Sequence, residues 1–76
     1  MLKSVTIVLS SVDEVKDFVN AVSRMEGEVT LYCGRYIIDA KSIMGIFSLD
    51  LTKPLKLEID NWKEEYGVLI EKFMVY

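Results

Sequence analysis

A very short connection between two apolar stretches constrains the fold of this sequence most. Residues 29–32 and 36–38 carry the β-branched and aromatic side chains that are typical of strands, and only Cys33, Gly34 and Arg35 separate them. Gly34 supplies the positive φ that a tight hairpin turn requires. Because so short a connection cannot cross over a sheet, we expect the two strands to pair antiparallel.

Hydrophobic periodicity predicts the elements on either side of this hairpin. Apolar residues alternate over residues 5–9 and 55–59, which indicates a first and a fourth strand. Apolar spacings of three and four predict three helices. The first has an apolar face formed by Val12, Val15, Phe18, Val19, Val22 and Met25; the second starts at Ile43 and includes Met44, Ile46, Phe47 and Leu49; the last has a face of Trp62, Tyr66, Leu69, Ile70 and Phe73.

The predicted order of elements is therefore β-α-β-β-α-β-α. Strands with one apolar face need helices on one side only, so we expect an α+β fold, a two-layer open-faced sandwich. The chain of 76 residues has room for a single domain, residues 1–76, and its 51% hydrophobic content is enough for a core.

Local signals predict where these helices begin and end. Ser11 is expected to cap the first helix, with Glu14 completing a capping box. Gly27 follows that helix and is expected to take the left-handed conformation that ends it. Ser42 is expected to open the second helix, and residues 60–61 to cap the last one.

Composition excludes several classes of function. The net charge of −3 weighs against binding to nucleic acid or to anionic membranes, and no apolar run approaches the length of a membrane span. The chain has no histidine, the usual general base and commonest metal ligand, so we expect neither an enzyme nor a metal or other cofactor site. The single Cys33 cannot form an internal disulfide, which favours a reducing, cytoplasmic location.

Residues 41–49, Lys-Ser-Ile-Met-Gly-Ile-Phe-Ser-Leu, carry the most informative motif. This segment resembles the signature K-S-I-M-G-[V/I]-x-S-L of the HPr family, the phosphocarrier proteins of the bacterial sugar phosphotransferase system, in which it opens the short second helix. The resemblance implies a four-stranded antiparallel sheet of order 1-4-2-3 with three helices on one face. It also implies a bacterial protein connected with sugar transport or its regulation.

The family's active site departs from this sequence. In the family a G-x-H-x-R-P-A segment joins the first strand to the first helix, and its histidine accepts the phosphoryl group. At the family's spacing from Ser42, the histidine position holds Ser11, the arginine position Asp13 and the proline position Glu14. A serine without a nearby base is a poor nucleophile, and two carboxylates at the positive end of a helix repel phosphate. We therefore predict no catalytic residue here, with Ser11 serving only as a helix cap.

Ser42 and its neighbours do match the family. The family's serine at this position is a regulatory site phosphorylated by an ATP-dependent kinase. The catabolite-repression paralogue of HPr also lacks the histidine, keeps this serine and acts by binding a transcriptional regulator. Phosphate on Ser42 would stand at a helix N-terminus beside Lys41, which is a favourable place for it. The alternative is that Ser42 only caps the short helix.

The second helix is too short to bury all of its apolar residues. Ile46 and Leu49 are the expected core pair, which leaves Ile43, Met44 and Phe47 as candidates for an exposed patch. The matching positions in the family form a docking surface for partner proteins, and we include Lys41 in it. Ordinary core packing is the alternative for each of these apolar side chains.

The sequence thus favours an HPr-like regulatory or docking module that has lost histidine phosphocarrier activity and is controlled at Ser42. Its expected partner is a protein, either a transcriptional regulator or a phosphotransferase-system component. Two alternatives stay open. One is a phosphotransferase-system component or carrier that uses a different phosphorylated residue. The other is a small-molecule-sensing α+β domain, which would need a deep cavity near Tyr36 or Trp62.

Overall fold

The computed structural model describes residues 1–75. It contains four strands and three helices, the last of which runs into a single 3-10 turn. In chain order these are β1 (Lys3–Ile7), α1 (Val12–Val22), β2 (Val29–Cys33), β3 (Tyr36–Asp39), α2 (Ile43–Phe47), β4 (Leu55–Ile59), α3 (Tyr66–Ile70) and the 3-10 turn Glu71–Phe73.

The strands form one antiparallel sheet of order β1-β4-β2-β3, with the helices on one face. The α+β open-faced sandwich and its strand order are therefore confirmed. The hairpin from β2 to β3 closes with Cys33 opposite Tyr36, and Gly34 in the turn has a φ of 58°. The positive φ explains why glycine occupies this turn position.

The core lies between the sheet and the helices. Alternate residues of β4, namely Leu55, Leu57 and Ile59, are buried, as period-two patterning predicts. Phe18 on α1 packs edge-to-face against Phe73, with their ring centroids 5.5 Å apart. Such aromatic pairs prefer this geometry, and here the pair joins the first helix to the C-terminal turn.

The start of α1 follows the predicted capping with one difference. The Ser11 hydroxyl accepts from the Glu14 backbone N–H at 3.1 Å, as predicted. The Glu14 carboxylate, however, reaches back one residue further than a capping box, accepting from the backbone N–H and hydroxyl of Ser10 at 2.8 and 3.0 Å. The assignment of Val12 to the buried face was wrong, since it is 57% exposed in the first turn of α1.

The ends of the helices also differ from the predictions. α1 ends at Val22, and Gly27, although its φ is 84°, lies too far along the chain to be its cap. A side chain at Gly27 would collide with the Asp60 carboxylate, so glycine is needed there for close approach of two loops. Residues 60–61 do not cap α3, which starts only at Tyr66 after a pair of turns. The backbone N–H of Trp62 donates instead to Met1 O at 2.8 Å.

The two edge strands of the sheet, β1 and β3, differ in whether another segment of the chain covers them. Along β1, Val8 N donates to Phe73 O and Val75 N donates to Thr6 O, both at 2.9 Å, so the C-terminal segment covers this edge. β3 is the last strand on the other side of the sheet. Within residues 1–75 there is no helix with the length and apolar character that crossing a bilayer requires.

Candidate functional site

α2 presents the residues of the predicted site on a single short helix. Ser42 caps it, because its hydroxyl accepts from the Gly45 backbone N–H at 3.2 Å. Ser42 is half-buried, and its own N–H donates to Asp39 O at 3.0 Å. A Cβ at Gly45 would stand 3.3 Å from the Ser42 hydroxyl oxygen, so glycine leaves room for the cap.

The apolar residues of α2 divide into a buried and an exposed set. Ile46 is fully buried, and Ile43 and Leu49 are half-buried against the core. Met44 is 77% exposed and Phe47 is 42% exposed. α2 has five residues and packs only one side on the sheet, so the side chains on its other side, Met44 and Phe47, face solvent.

Lys41 precedes Ser42 but is directed elsewhere. Its ammonium group donates to Met25 O at 2.7 Å and to Gly27 O at 3.0 Å. These carbonyls belong to the segment that leaves α1, so Lys41 joins that segment to the start of α2. The charge of Lys41 is therefore used within the fold.

The N-terminus of α1 has a different electrostatic character from that of α2. Asp13 and Glu14 lie in the first turn of α1, whereas the first turn of α2 contains no acidic residue. Hydrogen bonds from the backbone N–H and hydroxyl of Ser10 lower the pKa of Glu14 below its ordinary value. Glu14 is thus a weak base that is already engaged, and Ser11 next to it has its hydroxyl oxygen occupied as a cap.

Comparison with known proteins identifies the fold's relatives. No protein-family model and no curated protein matches the sequence. Among solved structures, the crystal structure of HPr-C-His from Thermoanaerobacter tengcongensis superimposes with a TM-score of 0.74 at 26% sequence identity. The alignment covers 92% of this chain and 88% of that one. This protein is HPr-like.

The HPr-like fold places both predicted regions on neighbouring elements. α1, which Ser11 caps and whose first turn contains Asp13, packs against α2, which Ser42 caps. In this HPr-like chain the exposed Val12 stands at the start of α1, and the sequence pattern missed it because its spacing fits the buried face. The signal available in the sequence was its place at the first helical position, directly after the Ser11 cap.

The grooves of the HPr-like fold bear on the ligand-sensing alternative. The groove beside Tyr36 has a volume of about 440 Å³ and is lined by exposed or half-buried residues only, so it is a surface depression rather than a deep cavity. Trp62 is half-buried and packs edge-to-face on Tyr66 at 6.2 Å. Residues 1–75 contain no group of three or more potential metal ligands, and no buried side-chain polar atom among them lacks a partner.

Proposed function

We propose that this HPr-like chain is a protein-docking module that binds its partner through the exposed apolar part of α2. We define the α2 surface as Ile43, Met44 and Phe47. The observation that carries the proposal is the exposure of Met44 (77%) and Phe47 (42%) on a helix that is otherwise packed on the core. Exposed apolar side chains that lie together mark interaction sites, and methionine adapts to varied partners.

The free energy available from burying Met44 and Phe47 against a partner suits a docking role. Full burial of a methionine or phenylalanine side chain contributes about 1.5–3 kcal/mol. The chain leaves much of this contribution unused in the free protein. A partner that covers Met44 and Phe47 would recover it, at the cost of ordering only two side chains on a helix that is already formed.

The chemistry near Ser11 supports a role without histidine phosphoryl transfer. The sequence contains no histidine, and Ser11 occupies the family's histidine position. Glu14, whose backbone N–H donates to the Ser11 hydroxyl, has its carboxylate held by Ser10 and its pKa lowered, so it is poorly suited to accept a proton from a serine. Asp13 and Glu14 would also repel an incoming phosphoryl group.

We further propose that phosphorylation of Ser42 regulates docking. A phosphate there would meet the backbone N–H groups at the start of α2, whose first turn contains no acidic residue. It would add negative charge next to Ile43, at the rim of the α2 surface. Because Lys41 is bonded to Met25 O and Gly27 O, its contribution would be a nearby charge rather than a direct hydrogen bond.

Intact-mass analysis tests the regulatory part of the proposal. The chain is incubated with ATP and the HPr serine kinase, alongside Ser42→Ala and, as a matched control, Ser48→Ala at the other end of α2. We expect one added phosphate on the parent and on Ser48→Ala, and none on Ser42→Ala. Phosphate on Ser42→Ala, or on none of the three proteins, would contradict regulation at Ser42 and leave a docking surface without a switch.

The two alternatives receive less support. A carrier that uses another residue would need an activated nucleophile, and Ser11, at the family's histidine position, has its hydroxyl oxygen occupied as a helix cap beside Asp13 and Glu14. A small-molecule sensor would need a more enclosed site than the groove beside Tyr36. A docking module needs only the exposed residues that α2 presents.

A further inference from the structure

The free edge of the sheet at β3 has the features of a self-pairing strand. Residues 73–75 cover the β1 edge, but no element within residues 1–75 pairs with the outer side of β3. Tyr36 and Ile37 on this strand are 64% and 65% exposed. Natural proteins usually protect an apolar edge strand, because its open N–H and C=O groups can pair with another chain.

The hairpin geometry determines which backbone groups face this edge. Cys33 and Tyr36 close the tight turn and so form a hydrogen-bonded pair, and the pairs alternate from there. The bond from Ala40 N to Val29 O at 2.8 Å lies in the same alternating series. Ile37, opposite Tyr32, therefore belongs to a non-hydrogen-bonded pair, and its N–H and C=O point away from β2.

Charged residues stand on either side of Ile37. Arg35 lies two positions before it and Asp39 two positions after it, and both are exposed. Neither takes part in an ion pair within the described chain. One oxygen of the Asp39 carboxylate accepts from the Lys41 backbone N–H at 2.9 Å, which fixes the position of this charge at the end of the strand.

We propose that β3 pairs antiparallel with β3 of a second copy of this chain, about a two-fold axis at Ile37. In this register the N–H of each Ile37 donates to the C=O of the other, and the two side chains meet. Tyr36 lies opposite Ile38 of the second copy. Arg35 lies beside Asp39 of the second copy, and the symmetry repeats this opposite-charge pair on the other side.

Shifting the register by one pairing step in either direction loses these matches. A shift by a single residue would move every side chain of the second β3 to the opposite face of the sheet. The nearest allowed registers therefore differ by two residues in the partner of each position. One shift places Arg35 beside Lys41 of the second copy and Ile37 beside Asp39. The other places Arg35 beside Ile37 and leaves Asp39 of the second copy without a partner on β3, because the position opposite it, Cys33, belongs to β2. The register centred on Ile37 alone joins apolar to apolar and positive to negative.

Sedimentation velocity over a range of about 10 µM to about 1 mM tests the pairing, since a short edge strand forms a small and weak interface. We expect the wild-type chain to show a concentration-dependent dimer. Ile37→Lys places two like charges on the axis and is expected to be monomeric. Val68→Lys, a change at a valine that is 74% exposed on α3, is the matched control and should dimerise like wild type.

A charge exchange tests the register itself. Arg35→Glu alone and Asp39→Lys alone each convert both cross-copy pairs to like charges, so each variant should self-associate about tenfold more weakly than wild type. An equimolar mixture of the two variants restores both opposite-charge pairs, and we expect it to form a heterodimer. Circular dichroism measures whether each variant is folded. Should Asp39→Lys fail to fold, Arg35→Glu and Ile37→Lys still test the pairing.

Three outcomes would overturn the proposal. These are a wild-type chain that stays monomeric at about 1 mM, a dimer that Ile37→Lys leaves intact, and two charge variants that do not associate on mixing. Dimerisation through β3 can be tested separately from docking through α2. Met44→Lys, which alters the α2 surface and no residue of β3, should dimerise like wild type.

Discussion

At the scale of single residues, the hydroxyl of Ser11 has a structural use that can be measured. It accepts from Glu14 N–H at 3.1 Å and caps α1. Ser11→Ala should lower the free energy of unfolding by about 1 kcal/mol, the usual effect of losing an N-cap. Urea denaturation measures this, with Ser23→Ala at the other end of α1 as a control that should change little. Equal losses in both variants would show that the cap is not the cause.

The Glu14 carboxylate makes the folding stability of the chain depend on pH. Hydrogen bonds from Ser10 lower its pKa in the folded chain, so folding is favoured above the unfolded-state pKa of Glu14 and this contribution is lost as pH falls through the folded-state value. Wild type should therefore lose more stability than Glu14→Gln between about pH 6 and about pH 3. Parallel stability curves from urea denaturation for the two proteins would contradict this assignment. Asp50, whose pKa Thr52 lowers by hydrogen bonding, contributes equally to both.

Sequence reasoning at the residue scale was reliable for Ser11 and Ser42, because an N-cap depends on the few residues next to it. It could not find the role of Lys41, whose acceptors, Met25 O and Gly27 O, lie 16 and 14 positions away along the chain. Such a bond depends on where two loops meet, which local spacing does not encode.

At the scale of elements, Lys41 joins the segment after α1 to the start of α2. Lys41→Met keeps most of the side-chain volume but removes the bonds to Met25 O and Gly27 O. We expect a loss of about 1–3 kcal/mol in unfolding free energy, since hydrogen bonds from a charged group are involved. Denaturation of Lys53→Met, which removes an exposed lysine 4.0 Å from Asp50, provides the comparison and should lose little. A similar small loss in Lys41→Met would mean that its bonds are not formed in solution.

Hydrophobic periodicity predicted the long helix α1 better than the short helix α3. The face of α1 was identified because eleven residues give several turns of pattern. α3 has only five residues, and the pattern from Trp62 onward suggested a longer helix. Before Tyr66 the chain makes turns, and the Trp62 N–H bonds to Met1 O, a tertiary contact that the pattern does not contain.

At the scale of the whole molecule, the sheet order β1-β4-β2-β3 came from the family resemblance of residues 41–49, since the strands themselves predict only antiparallel pairing of β2 and β3. Composition and periodicity predicted the two layers. Exposure of Met44 and Phe47 followed from the shortness of α2, but the choice between these residues and Ile43 needed the packed structure.

The docking proposal is tested most directly by measuring binding to the transcriptional regulator of the catabolite-repression system. Titration calorimetry would compare the wild-type chain, with and without phosphate on Ser42, with Met44→Lys, Phe47→Glu and the control Val68→Glu. Met44 and Phe47 are exposed on α2, and Val68 is exposed on α3. A phosphotransferase-system protein that binds HPr would be titrated in the same way.

We expect the wild-type chain and Val68→Glu to bind one of these proteins equally, and Met44→Lys and Phe47→Glu to bind at least about tenfold more weakly, which corresponds to about 1.4 kcal/mol. That result would establish the α2 surface as the docking site of this HPr-like chain. Unchanged binding by both α2 variants, an equal loss in Val68→Glu, or no binding of wild type to either class of protein would contradict it.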